Sequence, residues 1–250
     1  MIETKHINKS FEDKQVLFDI NIVFEDSVNN IIIGQSGSGK TVLMRCLLGL
    51  FSPDSGDILF DGRNFVGASN SMVYEVRKDI GTIFQNSALF DSMNVLQNVM
   101  FPLDMFSTMS YADKVERSIE CLQQVGLENV EYKMPSELSG GMRKRVAIAR
   151  AISTRPKYLF CDEPNSGLDP YTSSLIDDLI NELTLKYNIT TVINTHDMNS
   201  VLKMGDRINF VYQGHIAWQG TSKDILCSNS KELVEFLESS ELTKRLLCRN

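Results

Sequence analysis

The run Ile31-Ile32-Ile33-Gly34-Gln35-Ser36-Gly37-Ser38-Gly39-Lys40-Thr41 constrains the fold more than any other stretch. Its apolar start predicts a short, fully buried parallel strand. The glycine-rich middle predicts a loop, and Val42 to Leu50, apolar nearly all round, predicts a buried helix. The glycines let the backbone curl until several N–H groups point inward, with the positive helix end behind them. That makes an anion cradle sized for phosphates. Lys40 would supply a fixed charge for β- and γ-phosphates, and the Thr41 hydroxyl would ligate Mg²⁺. The spacing satisfies G-x-x-x-x-G-K-[ST] at every position. The competing reading is a plain strand–turn–helix corner with a surface lysine.

Length and charge narrow the classes. At 250 residues the chain fits one large α/β domain or two lobes. The formal charge of -7 argues against wholesale nucleic-acid binding. The 5 cysteines, Cys46, Cys121, Cys161, Cys227 and Cys248, have no metal-ligand or C-x-x-C spacing, so free thiols in a reducing cytosol are expected. No signal region opens the chain, and no apolar run approaches the ~18 residues that span a bilayer. A role at a membrane therefore requires a partner.

In chain order, residues 2–8 and 16–24 read as strands around the turn Glu12-Asp13-Lys14. Asp57–Phe60, followed by Asp61-Gly62, reads as a further strand and hairpin turn. These early strands predict an antiparallel side sheet. Ile80–Phe84 is a strand ending at Gln85. From Asn94 to about Gly126 the pattern turns helical, with Ser110 as an N-cap and one stripe at Val115, Ile119, Leu122 and Val125. This block predicts an inserted helical lobe. A long helix follows Ser139-Gly140-Gly141 to about Ser153, and Tyr158–Cys161 is a buried strand leading to Asp162-Glu163. Asp169-Pro170 opens another helix. Thr190–Asn194 is a strand ending before His196, and Ile208–Tyr212 with His215–Trp218 form a hairpin. Lys231 to about Leu247 is an amphipathic tail.

Several features narrow a phosphate cradle to one chemistry. The strand ending in Asp162-Glu163 leaves its sheet at Pro164, so both carboxylates can reach the edge where phosphates lie. Asp162 would hold Mg²⁺ through water, and Glu163 would orient and deprotonate an attacking water. Leu138-Ser139-Gly140-Gly141-Met142 opens a helix whose free N–H groups and serine hydroxyl make a second anion site. Gln85 and His196 each end a strand, where the amide can touch Mg²⁺ or the water and the imidazole a γ-phosphate oxygen. Ser166-Gly167-Leu168-Asp169 is a loop suited to report the phosphate state to a neighbouring subunit. Phe11 reads either as a core aromatic or as a flat ring for an adenine base. His6 and His215 read as structural.

Together these residues resemble the nucleotide-binding subunit of an ATP-binding-cassette (ABC) transporter, over residues 1 to about 220 and in the family's motif order. The resemblance implies an α/β fold: a P-loop NTPase (RecA-like) core, an antiparallel β subdomain and an inserted helical subdomain at about 94–155, then a helical tail at 221–250. It implies that ATP and Mg²⁺ are bound. Phe11 is similar to the adenine-stacking residue, with Val16 beside it, and residues 34–41 to the Walker A loop, with Val42 behind. Gln85 is similar to the Q-loop glutamine, 158–163 to Walker B and His196 to the switch histidine. Mg²⁺ would fall to Thr41, Gln85 and Asp162, and catalysis to Glu163, His196 and Gln85. The family implies a head-to-tail homodimer in which Ser139, Gly140, Gly141 and Met142 of the signature and Asp169 of the D-loop face the other subunit's ATP.

A narrower resemblance rests on Phe84–Val95, Asn98-Val99, Phe101-Pro102-Leu103 and Met134–Arg145. Both stretches look like the ATPase of the Mla/Mce-type phospholipid transporters of the bacterial envelope, where methionine is usual at position 142. This implies an MlaE-like membrane permease, an Mce-type lipid-binding protein reached indirectly, and a place on the cytoplasmic side of the inner membrane, peripheral through the permease. A small regulatory subunit stays open. Within the same fold, an amino-acid importer or a lipoprotein exporter is the alternative. A soluble ABC protein acting on ribosomes or DNA usually carries a second cassette or a long coiled coil, and neither is present. A small-molecule kinase gives no reason for the signature or for Asp162-Glu163. The basic cluster Arg143, Lys144, Arg145 and Arg150 reads as a solvated helix face or dimer contact, with no nucleic acid bound. Phe90, Met93, Phe101, Met105 and Phe106 read as a docking surface for the membrane partner, or as core of the helical lobe.

Overall fold

The computed structural model describes residues 1–12, 14–239 and 243–244. In order the elements are β1 (Ile2–Phe11), β2 (Lys14–Phe24), β3 (Asn29–Ile33), α1 (Lys40–Leu47), β4 (Ser55–Phe60), β5 (Arg63–Asn64), α2 (Asn70–Lys78), β6 (Ile80–Ile83) and α3 (Val95–Phe106). Then come α4 (Tyr111–Gln124), α5 (Gly140–Ile152), β7 (Tyr158–Asp162), α6 (Pro170–Tyr187), β8 (Thr190–Asn194), α7 (Met198–Met204), β9 (Arg207–Tyr212), β10 (His215–Gly220) and α8 (Lys231–Glu238). They form two compact units, Met1–Val76 with Thr190–Asn250, and Arg77–Ile189.

The first unit holds the expected antiparallel sheet, in the order β2-β1-β4-β5. Ile2 lies opposite Phe24 on one side and Phe60 on the other, and all three are fully buried. The same unit places β3 in parallel register between β8 and β9, with β10 antiparallel on β9. Every residue of β3 is buried. Asn30 is tolerated there because its side chain is paired: the amide donates to Glu25 O at 2.9 Å and the side-chain carbonyl accepts from Glu25 N at 2.8 Å. Helix α1 buries Leu43, Met44 and Leu47 and stops at Leu47, short of the expected Leu50, because Gly49 takes a left-handed turn at φ 65.

In the second unit β6 pairs in parallel with β7, and α5 packs on β6 and on α3, α4 and α6. Side chains set the helix starts: Asn94 and Gln97 form a capping box, Ser110 accepts from Asp113 N, and Ser139 accepts from Met142 N. The stripe expected on α4 holds at Leu122 and Val125, both buried, and is rotated in the turns before them. Its buried face is Arg117, Ser118, Cys121 and Leu122, whereas Val115 and Ile119 are only half-buried. The cause is Arg117, whose guanidinium donates at 3.0 Å to the carbonyls of both Ile152 and Ser153 and so caps the end of α5. Helix α2 has no counterpart in the sequence reading. The expected turn at Asp13, Cys248 and the tail over 240–242 and 245–247 lie outside the described residues.

Candidate functional site

The phosphate-loop residues lie in the first unit. β3 delivers the chain to Gly34, where no side chain fits: a Cβ would stand 2.2 Å from the Val211 carbonyl oxygen of β9 and 2.7 Å from Ser38 Oγ. Gly39 is left-handed at φ 108 and begins α1, with its Cβ position 2.9 Å from Leu17 and 3.2 Å from the Val16 carbonyl. The β9–β10 turn braces the loop, as Gly214 N donates to Ser38 O at 3.0 Å. The Lys40 ammonium, buried, donates to the carbonyls of Gly34 (2.8 Å) and Gln35 (2.9 Å). Thr41 is exposed at the mouth of the helix.

Ser38 Oγ is the atom that bears most directly on a ligand. It is buried and has no hydrogen-bond partner among the described residues, an arrangement that costs stability unless a ligand supplies one. A phosphate oxygen in the loop is the acceptor that position suits. The loop therefore fits a nucleotide triphosphate. Among the described residues no group of three or more His, Cys, Asp or Glu could hold a metal.

Phe11 is 39% exposed, with its ring edge-on to Phe51 at 5.2 Å and under the Lys9 ammonium at 5.3 Å. It is thus a surface ring and not a core aromatic. His196 is exposed in the segment between β8 and α7, just before Asp197, which caps α7. His6 meets Asp19 at 2.7 Å and His215 stacks on Phe18 at 4.7 Å, both as structural contacts.

The second unit carries the acidic pair. Asp162 ends β7, and Glu163 is left-handed at φ 48, so the chain turns sharply between the two carboxylates. Ser166 N donates to Glu163 O at 3.1 Å, and Ser166 Oγ accepts from the Gln85 amide at 3.1 Å. No local pattern of residues marks this link between the Gln85 loop and the 163–166 turn. Ser139 starts α5 with Gly140 and Gly141 in its first turn. A Cβ on Gly141 would meet Thr172 at 2.9 Å, so the helix start packs close against α6. Asp169 caps α6, accepting from the backbone N–H groups of Tyr171 (3.1 Å) and Thr172 (3.0 Å). The Thr172 hydroxyl donates to it as well, which pulls its carboxyl below the usual range.

The basic cluster departs from the sequence reading at two of its four members, while Arg143 is exposed and Arg145 half-buried. Lys144 and Arg150 are buried, at 4% and 8% exposure, and are neither a solvated face nor available for a dimer contact. Every member donates to a main-chain carbonyl: Arg143 to Leu138 (2.8 Å), Lys144 to Gln85, Arg145 to Val125 (3.3 Å), and Arg150 to Ser87 (2.8 Å) and Ala88 (2.7 Å). Charge runs read as solvated because the cost of burying a charge is high. Here unpaired loop carbonyls offset that cost. Nearby, an open groove of about 360 Å³ is lined by Phe84, Phe90, Phe101, Pro102, Phe106 and Arg150, among others. Phe90 and Met105 are 41% and 55% exposed, so these residues are not spent on the core of the helical block.

The free thiols are confirmed for the described cysteines: Cys46, Cys121 and Cys161 are buried and Cys227 is exposed. Burial pushes the Cys46 and Cys121 thiols up to about 11, which makes them poor nucleophiles.

The ABC transporter family model matches residues 17–166. The chain is 38% identical over 243 residues to the methionine import ATP-binding protein MetN of Clostridium tetani, covering 97% of this chain and 76% of that protein. It is 35% identical over 240 residues to the intermembrane phospholipid transport system ATP-binding protein MlaF of Haemophilus influenzae (95% and 90%). It is 34% identical over 241 residues to a probable ribonucleotide transport ATP-binding protein, mkl, of Mycobacterium leprae (96% and 70%). A bacterial ABC transporter cassette solved as a dimer superposes with TM-score 0.82 at 30% identity, over 89% of this chain and 99% of that one. The α/β P-loop fold, the glycine cradle with its buried serine hydroxyl and the turn at Asp162-Glu163 converge with these relatives on one assignment: the chain belongs to the ABC transporter family, as an ATP-binding, ATP-hydrolysing cassette.

Proposed function

We propose that this cassette powers phospholipid transport across a bacterial envelope, as two copies under an MlaE-like permease joined to an Mce-type lipid-binding protein. The observation that carries this reading is the pair of stretches Phe84–Leu103 and Met134–Arg145, with methionine at 142, both similar to the Mla/Mce group. MlaF stands among the relatives at an identity comparable to MetN and mkl. Methionine import is the second reading, favoured by the 38% identity to MetN. Among the described residues no helix is long and apolar enough to cross a membrane, so the passage itself belongs to a partner. The apolar groove beside Gln85 is the surface we assign to it, since a short amphipathic helix fits such a groove.

In the reaction, Gly34, Gln35, Ser36, Gly37, Ser38, Gly39 and Lys40 cradle the phosphates, with Val42 in the helix turn behind them. Phe11 stacks on the adenine, with Val16 beside it. Thr41, Gln85 and Asp162 would hold Mg²⁺, which neutralises charge on the phosphates. Glu163 accepts the proton of the attacking water, and His196 holds that water or a γ-phosphate oxygen. Ser139, Gly140, Gly141, Met142 and Asp169 serve the ATP of the other copy in the homodimer. Moving a phospholipid headgroup through hydrocarbon is costly, and closure of the dimer on ATP supplies the work.

The test is purification of the chain from its native membrane with its companions, then ATPase and transport assays in liposomes. A lipid-dependent ATPase that moves labelled phospholipid supports the reading. An amino-acid permease as companion, or methionine-dependent turnover, replaces it with the second one and leaves the cassette assignment intact.

A further inference from the structure

We propose that Lys144 and Arg150 are positioning residues of the ATPase, two cationic posts on α5 that fix the backbone of residues 85–88 to the helix opened by Ser139. The inference rests on the roles given above to Gln85 and Glu163.

Residues 84–90 form no helix or strand, and their shape is costly. Ser87 and Ala88 are both left-handed, at φ 62 and 46, although neither is glycine. Such conformations persist only where the surroundings over-determine them. Here the Arg150 guanidinium reaches both carbonyls at once, at 2.8 and 2.7 Å, and its planar fork suits two successive acceptors. The Lys144 ammonium takes the Gln85 carbonyl. Among the described residues neither cation has a carboxylate hydrogen-bonded to it. Burial lowers the affinity of both side chains for their protons, and for Lys144 the nearby Cys161, Glu163 and Asp162 act in the opposite sense. A buried cation whose hydrogen bonds go to loop carbonyls is a structural tether.

The tether has two ends of interest. From Gln85, the side chain reaches Ser166 Oγ at 3.1 Å, and Ser166 N reaches Glu163 O at 3.1 Å. The network thus runs from α5 through the Gln85 loop to the backbone of the acidic turn. At the other end, Arg150 lies 6.0 Å from the Phe90 ring centroid and lines the apolar groove. A shift of the groove wall is therefore felt at Gln85 and at the start of α5 together. Ordinary sequence reading misses this because it treats Lys144 and Arg150 as surface charge.

The test uses the full chain and the variants Lys144→Met, Lys144→Arg and Arg150→Lys. Misplacing a water-positioning group lowers turnover more than binding, so kcat for ATP should fall about tenfold in Lys144→Met and Arg150→Lys while the Kd for Mg-ATP stays within about twofold. Lys144→Arg should restore most of the rate. Hydrogen exchange at amides 85–90 should quicken in the two impaired variants and stay unchanged at 34–41. Should Lys144→Met not fold, Arg150→Lys, which keeps charge and nearly all volume, carries the test alone. Wild-type kcat in a variant whose 85–90 amides exchange faster overturns the proposal. So does a loss of rate fully matched by a loss of ATP binding. Lys40→Ala separates the two levels: if it leaves ATP turnover intact, the underlying assignment of the nucleotide site fails, not the tether alone.

Discussion

A methyl group at residue 34 has nowhere to go, and a hydroxyl at residue 38 has nothing to bond. These two facts belong to the same loop and predict different things. Gly34→Ala forces the Val211 carbonyl aside, with an overpacking cost of about 1–3 kcal/mol. Ser38→Ala removes an unsatisfied group, so the nucleotide-free protein should lose no stability and show an equal or higher Tm. ATP affinity should nonetheless fall, by about 1 kcal/mol for the lost hydrogen bond. Thermal scans with and without Mg-ATP read both effects. A Ser38→Ala variant with lower ligand-free Tm and unchanged ATP response would mean the hydroxyl serves the fold and not the phosphates. The glycine and lysine spacing made this loop legible, because few backbones other than an anion cradle need it. The close approach of Val211 was not legible, since it depends on which strand lies beside β3.

At the scale of elements, capping residues were readable and buried charge was not. Ser110, Ser139 and Asp169 stand where the sequence places them because an N-cap is a local demand of the first helical turn. The face of α4 was misread because Arg117 can turn inward to cap α5, a tertiary demand that periodicity does not register. Asn98 is a further case. It is fully buried, and its amide spans the bend before α3, donating to Phe90 O, Met93 O and Asn94 O while its carbonyl accepts from Phe90 N. Asn98→Ala strips a buried turn of several partners at once and should cost about 2–4 kcal/mol in urea unfolding. A cost below about 0.5 kcal/mol would show that water replaces the amide. The groove walls are a separate matter. Phe90→Glu or Phe106→Glu adds charge to a half-open apolar surface, so ATPase in the isolated chain should persist while stimulation by the membrane partner is lost. Unfolding of both variants would place these rings in the core instead.

At the scale of the whole molecule, the proposed function requires that two copies of the cassette are joined by ATP and released by hydrolysis. The net charge of -7 argues against wholesale nucleic-acid binding, and the cradle after β3 favours a small, highly charged ligand. The parallel strands and the side sheet follow from patterning that the sequence carries openly, whereas the buried cations of α5 depend on which loop lies against that helix. The most direct measurement is sedimentation of Glu163→Gln with Mg-ATP, with nucleotide turnover followed in parallel. The amide keeps the shape of the side chain but cannot take the proton of the attacking water. The account predicts a dimer that retains intact ATP and turns over at least about a hundredfold more slowly than wild type. Wild-type turnover in this variant, or a monomer at saturating ATP, would contradict it.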